Sequence, residues 1–543
     1  MGTPPPGDPP GTVTVMDVVA DGLAAHGVSL AWGMPGGDSL PLVKSMAERG
    51  IRFVLVRDEA SAGFAADATA QLTGQLGVCL ATLGPGMTNL ASGVMGCTLD
   101  RAPVLAFTAR YRTDRRNLYT HMMMAQEEVL AATGKGWLRL GATHPGAELR
   151  KAIAIASAPR AGAVWVEVPS DRASLPCRDT ARPITPAPTP ASLPAALRQR
   201  VSGWRRPLIL VGFGARHARV AELAEALRAP VLTTYKAKGC VPEGQGWSAG
   251  PAGLSPVADR VHQELVARAD GLLLLGWDPA ELRDHWLPGW PEVSGPEVVV
   301  VDEAHVTDLP ATIHGAFVGD PAHALDTWLD GVDGPRPEPG SAWTVDEVEA
   351  HRARHDAIFA EAVFGPASAI RAVQQATGAV PEVVTTLDVG AHRITASHVL
   401  RCARPDALLQ SNGWSSMGYG LPAAIAAAAL GHPAVAIIGD MGLQLVAGEL
   451  GTAVEVGGTV VVMVLLDDSL SLIELKQQRL GHPSRGVGFA NPSLPRLAEA
   501  FGGTGVVVAD AEGARQAVAD ALGRGGLSLV GVRIDPAPYR EQM

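Results

Sequence analysis

At 543 residues the chain is too long for one hydrophobic core, and it predicts two to four domains. Its 47% hydrophobic residues, 62 glycines and 42 prolines indicate a globular α/β protein with many tight turns, and a net charge of −11 without a basic stripe argues against a nucleic-acid partner. We expect a soluble, cytoplasmic protein, because no run approaches the ~18 apolar residues of a membrane span and the five cysteines show no CxxC spacing.

Apolar strand patterns alternate with helical patterns in three successive stretches. These predicted domains span residues 12–178, 196–334 and 345–537, and Pro-rich segments separate them. Alternation of this kind predicts parallel sheets covered by helices. The predicted fold class is therefore α/β, with three doubly wound parallel-sheet domains.

The first domain carries polar and glycine-rich turns after its predicted strands. A turn at residues 33–37 follows the strand Leu30–Trp32, Asp58-Glu59 follows Arg52–Val56, and Gly84-Pro85-Gly86 follows Gly77–Leu83. The segment after the strand Val104–Thr108 is expected to face the same pocket with Arg110, Tyr111, Arg112, His121 and Gln126. Its arginines suggest an anionic substrate, and a solvated charged loop is the alternative.

The third domain holds an acidic pattern. The buried run Ala434–Ile438 leads to a turn at 439–442, a predicted helix over Leu443–Val456 and a second strand, Val460–Leu466, which ends at Asp467-Asp468. Asp440 and Asp468 would thus follow neighbouring parallel strands at the edge where α/β sheets bind ligands. Two carboxylates there suit Mg²⁺ shared with substrate phosphates, whereas an N-cap and a turn form the alternative.

This stretch resembles the metal–diphosphate motif of thiamine diphosphate enzymes, and GELGTAVEVG (448–457) resembles the helix inside that motif in acetolactate synthases. Met441 replaces a glycine, Asp467-Asp468 replaces an Asn pair, and the spacing is one residue longer. Further segments resemble the acetolactate synthase family in the family's order. They are GMPGGDSLP (33–41), RDEASAGFAADA (57–68), ATLGPGMTNLASGV (81–94), DVGAH (388–392) and QSNGWSSMGYGLP (410–422).

The resemblance covers nearly the whole chain and implies pyrimidine-binding, central and diphosphate-binding domains. Glu59 would hydrogen-bond N1′ of the aminopyrimidine, and His121 would be the second catalytic residue. The Ser415 carbonyl would receive the 4′-amino group, and Met417 would support the bent cofactor. The cofactor-binding set implied is Gly36, Gly37, Gly390, Ala391, His392, Ser415, Met417, Asp440, Met441, Gly442 and Asp468, with Mg²⁺ on Asp440, Asp468 and the Leu470 carbonyl.

The activity implied is a Mg²⁺-dependent carboligase or decarboxylase acting on a 2-oxo acid or a related carbonyl donor. Segments 81–90, 233–244 and 472–482 resemble the N2-(2-carboxyethyl)arginine synthases, which leaves C–N bond formation from a sugar phosphate as one alternative. A non-catalytic paralogue or regulatory subunit is the other.

The resemblance also implies partners. FAD is not expected, since residues 276–279 read Gly-Trp-Asp-Pro where flavin-binding members carry Arg-Phe-Asp-Asp. The expected partners are small-molecule substrates and further copies of the chain. A dimer or a dimer of dimers would share each active site between two subunits.

Overall fold

The computed structural model describes residues 13–113, 121–180, 192–281, 286, 295–306, 308–309, 311–336 and 343–543. The chain divides after residue 187 into two compact units. The first unit contains one parallel β-sheet, and the second contains two. Within these residues, no helix has both the length and the apolar character needed to cross a membrane.

Within the described residues, the first unit is built on six strands and six α-helices. The strands are β1 (Leu30–Met34), β2 (Arg52–Leu55), β3 (Gly77–Ala81), β4 (Val104–Arg110), β5 (Gly136–Arg139) and β6 (Ala163–Pro169). The helices are α1 (Val15–Ala25), α2 (Leu40–Glu48), α3 (Glu59–Thr73), α4 (Pro85–Leu99), α5 (Gln126–Thr133) and α6 (Pro145–Ser157). The sheet order β2-β1-β3-β4-β6-β5 places the carboxyl ends of β1, β2 and β3 side by side.

Helices α3 and α4 approach each other closely through glycines. A β-carbon built on Gly63 would lie 2.5 Å from the Gly93 Cα, so no larger side chain fits at the crossing. The small residues along α3 are buried over most of its length. This crossing fixes the start of α3, where Glu59 lies, against the start of α4.

The second unit contains the central sheet. Its strands are β7 (Pro207–Val211), β8 (Val231–Thr234), β9 (Ser248–Ala252), β10 (Gly271–Leu275), β11 (Glu297–Asp302) and β12 (Gly315–Val318). Its helices are α7 (Ala195–Ser202), α8 (Val220–Leu227), α9 (Pro256–Ala267) and α10 (Pro321–Leu329). The strand order, β12-β11-β10-β7-β8-β9, is that of a doubly wound dinucleotide-binding fold.

The last sheet has the strands β13 (Val384–Leu387), β14 (Leu408–Gln410), β15 (Ala434–Gly439), β16 (Thr459–Leu466), β17 (Thr504–Val508) and β18 (Gly526–Arg533). The helices around it are α11 (Val345–Ala357), α12 (Pro366–Thr377), α13 (Ala391–Val399), α14 (Gly420–Ala429), α15 (Asp440–Leu445), α16 (Glu449–Val456), α17 (Ser471–Arg479), α18 (Leu494–Ala500), α19 (Ala511–Arg524) and α20 (Tyr539–Gln542). Its strand order, β14-β13-β15-β16-β18-β17, repeats that of the first sheet.

The predicted α/β class with three doubly wound parallel sheets is confirmed. The three sheets lie inside the predicted ranges, whose boundaries stay predictions. The single helix predicted over Leu443–Val456 is wrong: the chain forms α15 and α16 instead. Val446 leaves helical geometry (φ −120°, ψ 20°), and Gly448, a poor helix former, precedes the second helix.

Candidate active site

Glu59 begins α3 and is 8% exposed. The helix is capped by Asp58, whose carboxylate accepts the Ser61 amide at 3.3 Å, so capping does not depend on Glu59. The Glu59 carboxylate accepts a hydrogen bond from Asn89 Nδ2 at 3.1 Å, and a β-carbon built on Gly86 would lie 3.3 Å from its Oε1. The structure therefore encloses this carboxylate between α3 and the glycine-rich start of α4.

The two glycines of the first turn have different surroundings. A β-carbon on Gly36 would lie 2.4 Å from Thr82 Oγ1, so close packing against the end of β3 requires glycine there. Gly37 faces open space, since nothing lies within 4 Å of a β-carbon built on it. Gly36 thus joins the end of β1 to the loop that reaches Glu59, and a ligand contact remains open to Gly37.

His121 lies at an exposed turn, and its carbonyl accepts a hydrogen bond from the Tyr111 hydroxyl. The next residue, Met122, has φ +58°, and its carbonyl would be 2.7 Å from a β-carbon on Gly84. The segment therefore packs against the Gly84–Gly86 loop. Because the preceding residues 114–120 lie outside the described chain, the catalytic role of His121 stays a prediction.

Arg110 is paired with carboxylates of the same domain, and its expected contact with an anionic substrate stays a prediction. It donates to Glu167 at 2.6 Å and to Glu127 at 2.8 Å. Although burial raises the pKa of Glu127, hydrogen bonds from its own backbone and from Arg110 and Arg139 lower that pKa to about 2. Gln126 belongs to the same network, and its Oε1 accepts the Gly84 amide at 3.1 Å.

In the second unit, a cavity of about 260 Å³ opens at the carboxyl ends of β13, β15 and β16. Its wall brings together nine of the residues proposed from the sequence: Gly390, Ala391, His392, Ser415, Met417, Asp440, Met441, Gly442 and Leu470. It also contains Asp467, Ser469, Leu472, Ile473 and Tyr539. Residues from five separate segments therefore meet where open α/β sheets bind their ligands.

Asp467 lines this cavity, whereas Asp468 lies outside its wall. Asp468 adopts a left-handed backbone conformation (φ +57°), which turns its side chain toward Asn491 Nδ2 at 2.7 Å and Arg533 at 3.3 Å. Its backbone amide donates to Asp440 Oδ2 at 2.9 Å. Asp440 and Asp467 are thus the two carboxylates in the cavity wall, and the metal-binding role expected of Asp468 stays a prediction.

The carbonyl of Leu470 is already engaged, because it accepts the amides of Ile473 and Glu474 at 2.8 and 3.0 Å. Ser469, one residue earlier, lines the cavity. A shift of the expected metal pattern by one residue, from Asp468 and Leu470 to Asp467 and Ser469, is an alternative, and the roles expected of Asp468 and Leu470 stay predictions. This shift removes the extra residue that the motif spacing contained.

The cavity wall contains two acidic side chains, Asp440 and Asp467, whose charges interact. Burial and then the charge of Asp440 raise the pKa of Asp467 to about 6, although Ser471 Oγ donates to it at 2.6 Å. Among the residues that the structure describes, no three His, Cys, Asp or Glu side chains form a metal cluster. Two carboxylates with free space beside them suit Mg²⁺, which commonly completes its shell with water and phosphate oxygens.

His392 supplies a neutral polar group to the same wall. It is buried, and within the described chain its Nε2 has no hydrogen-bond partner. Burial, with a smaller effect of the Arg393 charge, lowers its pKa to about 4. A β-carbon on Gly390 would lie 2.7 Å from the imidazole, so glycine is required beside it. An unpartnered ring nitrogen in this wall fits a ligand with hydrogen-bonding oxygens.

Ser415 is held in a strained conformation, with φ +54°. Its hydroxyl donates to the Asn412 carbonyl at 2.8 Å and accepts from Arg393 at 3.2 Å. The Tyr235 hydroxyl also bonds to the Asn412 side chain, so the central sheet helps to hold this loop. The structure therefore presents Ser415 and Met417 on a loop that is fixed from both sides.

Sequence reasoning gave no role of their own to Asp388, Asn491 and Tyr539 around the cavity, or to Asn89 beside Glu59 in the first unit. It placed Asp467 in the acidic pair without making it a metal ligand. The one-residue excess in motif spacing pointed to Asp467. The contacts of Asp388, Asn89 and Asn491 join positions at least 23 residues apart in the chain, and no local pattern marks such pairs.

Three family models match the chain. The thiamine pyrophosphate enzyme N-terminal TPP binding domain matches residues 13–132, the central domain residues 195–327, and the C-terminal TPP binding domain residues 388–532. Together they cover most of the sequence. The chain belongs to the thiamine pyrophosphate enzymes.

Curated relatives indicate which kind of thiamine pyrophosphate enzyme the chain resembles. The chain is 26% identical to the acetolactate synthase of Bacillus subtilis, over 96% of this chain and 93% of the relative. It is 28% identical to a probable 2-ketoarginine decarboxylase of Pseudomonas aeruginosa (97% and 95%), and 26% to the acetolactate synthase isozyme 1 large subunit of Escherichia coli (94% and 92%). It is an acetolactate synthase-type enzyme that uses thiamine diphosphate for carboligation or decarboxylation, which sets aside the non-catalytic alternative.

Proposed function

We propose that the chain binds thiamine diphosphate with Mg²⁺ in the cavity of the second unit and acts on a 2-oxo acid. The observation that carries the proposal is the cavity wall, which joins two acids, a neutral histidine and two helix starts at one sheet edge. Helix starts offer backbone amides to anions, and α13 begins at Ala391 in this wall. The donor set therefore matches a diphosphate and a divalent cation bound together.

In this proposal Asp440, Asp467 and the Ser469 carbonyl hold Mg²⁺. The Gly390 amide and the Nε2 of His392 would face the diphosphate oxygens. The support is their common place in one wall and the engagement of Asp468 and Leu470 elsewhere. The proposed metal ligands thus keep the two-residue interval between the second acid and the carbonyl, and both lie one residue earlier in the chain than expected.

Each remaining residue has one task. Bound thiamine diphosphate supplies the electron sink for breaking or forming a bond next to a carbonyl group. Met417 would support the cofactor from the apolar side, and the Ser415 carbonyl would accept a hydrogen bond from its 4′-amino group. Glu59 exchanges a proton at N1′ of the aminopyrimidine, a task that suits an enclosed carboxylate.

We also propose a dimer or dimer of dimers in which two chains complete each site. The family relation supports it. Mixing inactive Glu59→Gln and Asp440→Ala chains should restore up to about a quarter of wild-type activity if one intact site forms per hybrid dimer. A fully active monomer in sedimentation experiments would exclude the shared site.

All five cysteines are free thiols, which supports the expected cytoplasmic location.

A screen of 2-oxo acids, read by mass spectrometry, tests the reaction. Pyruvate and 2-ketoarginine are the first donors, because relatives carry acetolactate synthase and 2-ketoarginine decarboxylase in their names. Sugar phosphates with an amino-acid acceptor test C–N bond formation. Products that require thiamine diphosphate and vanish in Glu59→Gln support the proposal. A protein that binds no thiamine diphosphate in calorimetry at saturating Mg²⁺ would refute it.

A further inference from the structure

The carboxyl group of Asp388 lies where three segments of the cofactor cavity meet. Asp388 directly follows β13 and is fully buried. Its Oδ1 accepts the amides of Gly418 at 2.7 Å and Gly420 at 3.1 Å. On its other side, a β-carbon built on Gly442 would lie 2.2 Å from Oδ2. One side chain therefore contacts the start of α14 with the residues before it and the start of α15, which come from distant parts of the sequence.

Each of these segments carries a part of the proposed site. Asp388 is followed by the turn with Gly390 and His392 in the cavity wall. Gly418 comes directly after Met417, and Gly442 lies two residues after Asp440. The carboxylate thus links the residue that supports the cofactor to the turn that carries the acids. Asp388 itself is not part of the cavity wall.

The chemistry of this contact is unusual for a group with only a packing role. Within the described chain, Oδ2 has no hydrogen-bond partner, although it is buried. Burial raises the pKa of Asp388 to about 6, despite amide donors at Gly420, Val389, Gly418 and Tyr419. A buried carboxylate without a cationic partner opposes folding. A hydrocarbon side chain would remove that penalty, but it would leave several backbone amides without an acceptor.

We propose that Asp388 is a positioning residue that fixes the distance between Met417 and the start of α15 at Asp440. It acts through the backbone of Gly418 and Gly420 on one side and through contact with Gly442 on the other. The inference rests on the proposed cofactor site. It explains why Gly442, the third residue of α15, is a glycine. Methionine is accepted one position earlier, at Met441, because the restriction applies only where Oδ2 makes contact.

Asp388→Asn is the first test, since asparagine keeps the acceptor oxygen and places an NH₂ group against Gly442 without a partner. We expect kcat to fall by about 10², the scale for a reacting group displaced by about 1 Å, with little change in KM. Hydrogen–deuterium exchange at C2 of bound thiamine diphosphate should slow by a similar factor. The wild-type holoenzyme must show this exchange; its absence would refute the proposed function and not the role of Asp388.

Asp259→Asn is the matched control. Asp259 is also fully buried, and its Oδ1 accepts the Gly253 amide at 2.9 Å, but it lies in the central domain. Its substitution should lower the melting temperature while exchange at C2 stays at the wild-type rate. If Asp388→Asn slows exchange no more than Asp259→Asn does, Asp388 has only a structural role and the proposal fails.

Gly442→Ala tests the second side of the contact and remains informative if Asp388→Asn does not fold. The added methyl group should weaken thiamine diphosphate binding, measured by tryptophan fluorescence, because it displaces the Asp388 carboxylate. The double variant Asp388→Ser with Gly442→Ala makes room for that methyl group while a hydroxyl still faces the amides. We expect it to bind the cofactor more tightly than Gly442→Ala alone. Equal or weaker binding would overturn the proposed contact.

Discussion

Asp467→Asn removes one of the two charges that the cavity holds close together. Burial and the charge of Asp440 raise the pKa of Asp467 to about 6, roughly 2 units above an ordinary aspartate, which corresponds to about 3 kcal/mol. Because the folded-state pKa is raised, the folded protein binds more protons than the unfolded chain does between about pH 4 and pH 6. The free energy of unfolding therefore falls as the pH rises through that window. Asparagine escapes this penalty. Cofactor-free Asp467→Asn should therefore be more stable than wild type at pH 8, by up to about 3 kcal/mol, and should gain nothing at pH 4.

Denaturant unfolding in EDTA at both pH values measures this gain, and calorimetric titration of thiamine diphosphate at several Mg²⁺ concentrations measures its functional cost. Asp467→Asn should need more Mg²⁺ than wild type. Asp468→Asn is the control, since its side chain is half exposed and its contact with Arg533 belongs to the class of surface pairs that contribute about 0–1 kcal/mol. A raised Mg²⁺ requirement in Asp468→Asn alone would return the metal site to Asp468. A stability gain of equal size at both pH values would refute the charge argument.

Three further predictions concern separate parts of the chain. Glu59→Gln should bind thiamine diphosphate normally and lose at least about 10² in turnover, and unchanged exchange at the cofactor C2 would remove Glu59 from proton transfer. Burial lowers the pKa of His262 and His355, and that of His351 to about 4, so the folded state keeps these bases neutral and stability should fall as pH drops from about 6.5 toward 4. Thermal unfolding at pH 8, 6 and 5 checks this, and His351→Gln should flatten the dependence. We expect a structural role for the central domain, so purified protein should show no flavin absorbance. A flavin band at about one equivalent would contradict that role.

The sheets could be predicted because buried strands leave a strong signal. The predicted runs Ala434–Ile438 and Val460–Leu466 are apolar, end at turns, and form β15 and β16, each one residue longer than predicted. The division between α15 and α16 could not be predicted with the same rule. Both helices bury residues against the same sheet, so the periodic pattern continues across the break at Val446.

The candidate site was predicted to the level of the segment but not always to the level of the side chain. Placing Asp440 and the Asp467-Asp468 pair at one edge required only parallel strands. Choosing between Asp467 and Asp468 required the backbone angle of Asp468, and aspartate tolerates both left-handed and extended conformations. The role of Asp388 depends on amides more than 25 residues away, so no local pattern could indicate it.

The central sheet uses its own carboxyl edge differently from a dinucleotide-binding sheet of the same strand order. In such sheets, the glycine turn after the first strand receives a phosphate group. Here the turn after β7 faces Glu281, whose carboxylate accepts the Phe213 amide at 3.0 Å and the Thr234 hydroxyl at 2.6 Å. Burial raises the pKa of Glu281 to about 7, and a β-carbon on Gly212 would lie 2.7 Å from its Oε2. A phosphate would have to displace this buried side chain. The end of β8 instead supports the last domain, since the Lys236 ammonium donates to the Gln410 carbonyl at 3.0 Å, at the base of the loop that carries Ser415. These contacts indicate that the central domain helps to hold the loop that carries Ser415 in place.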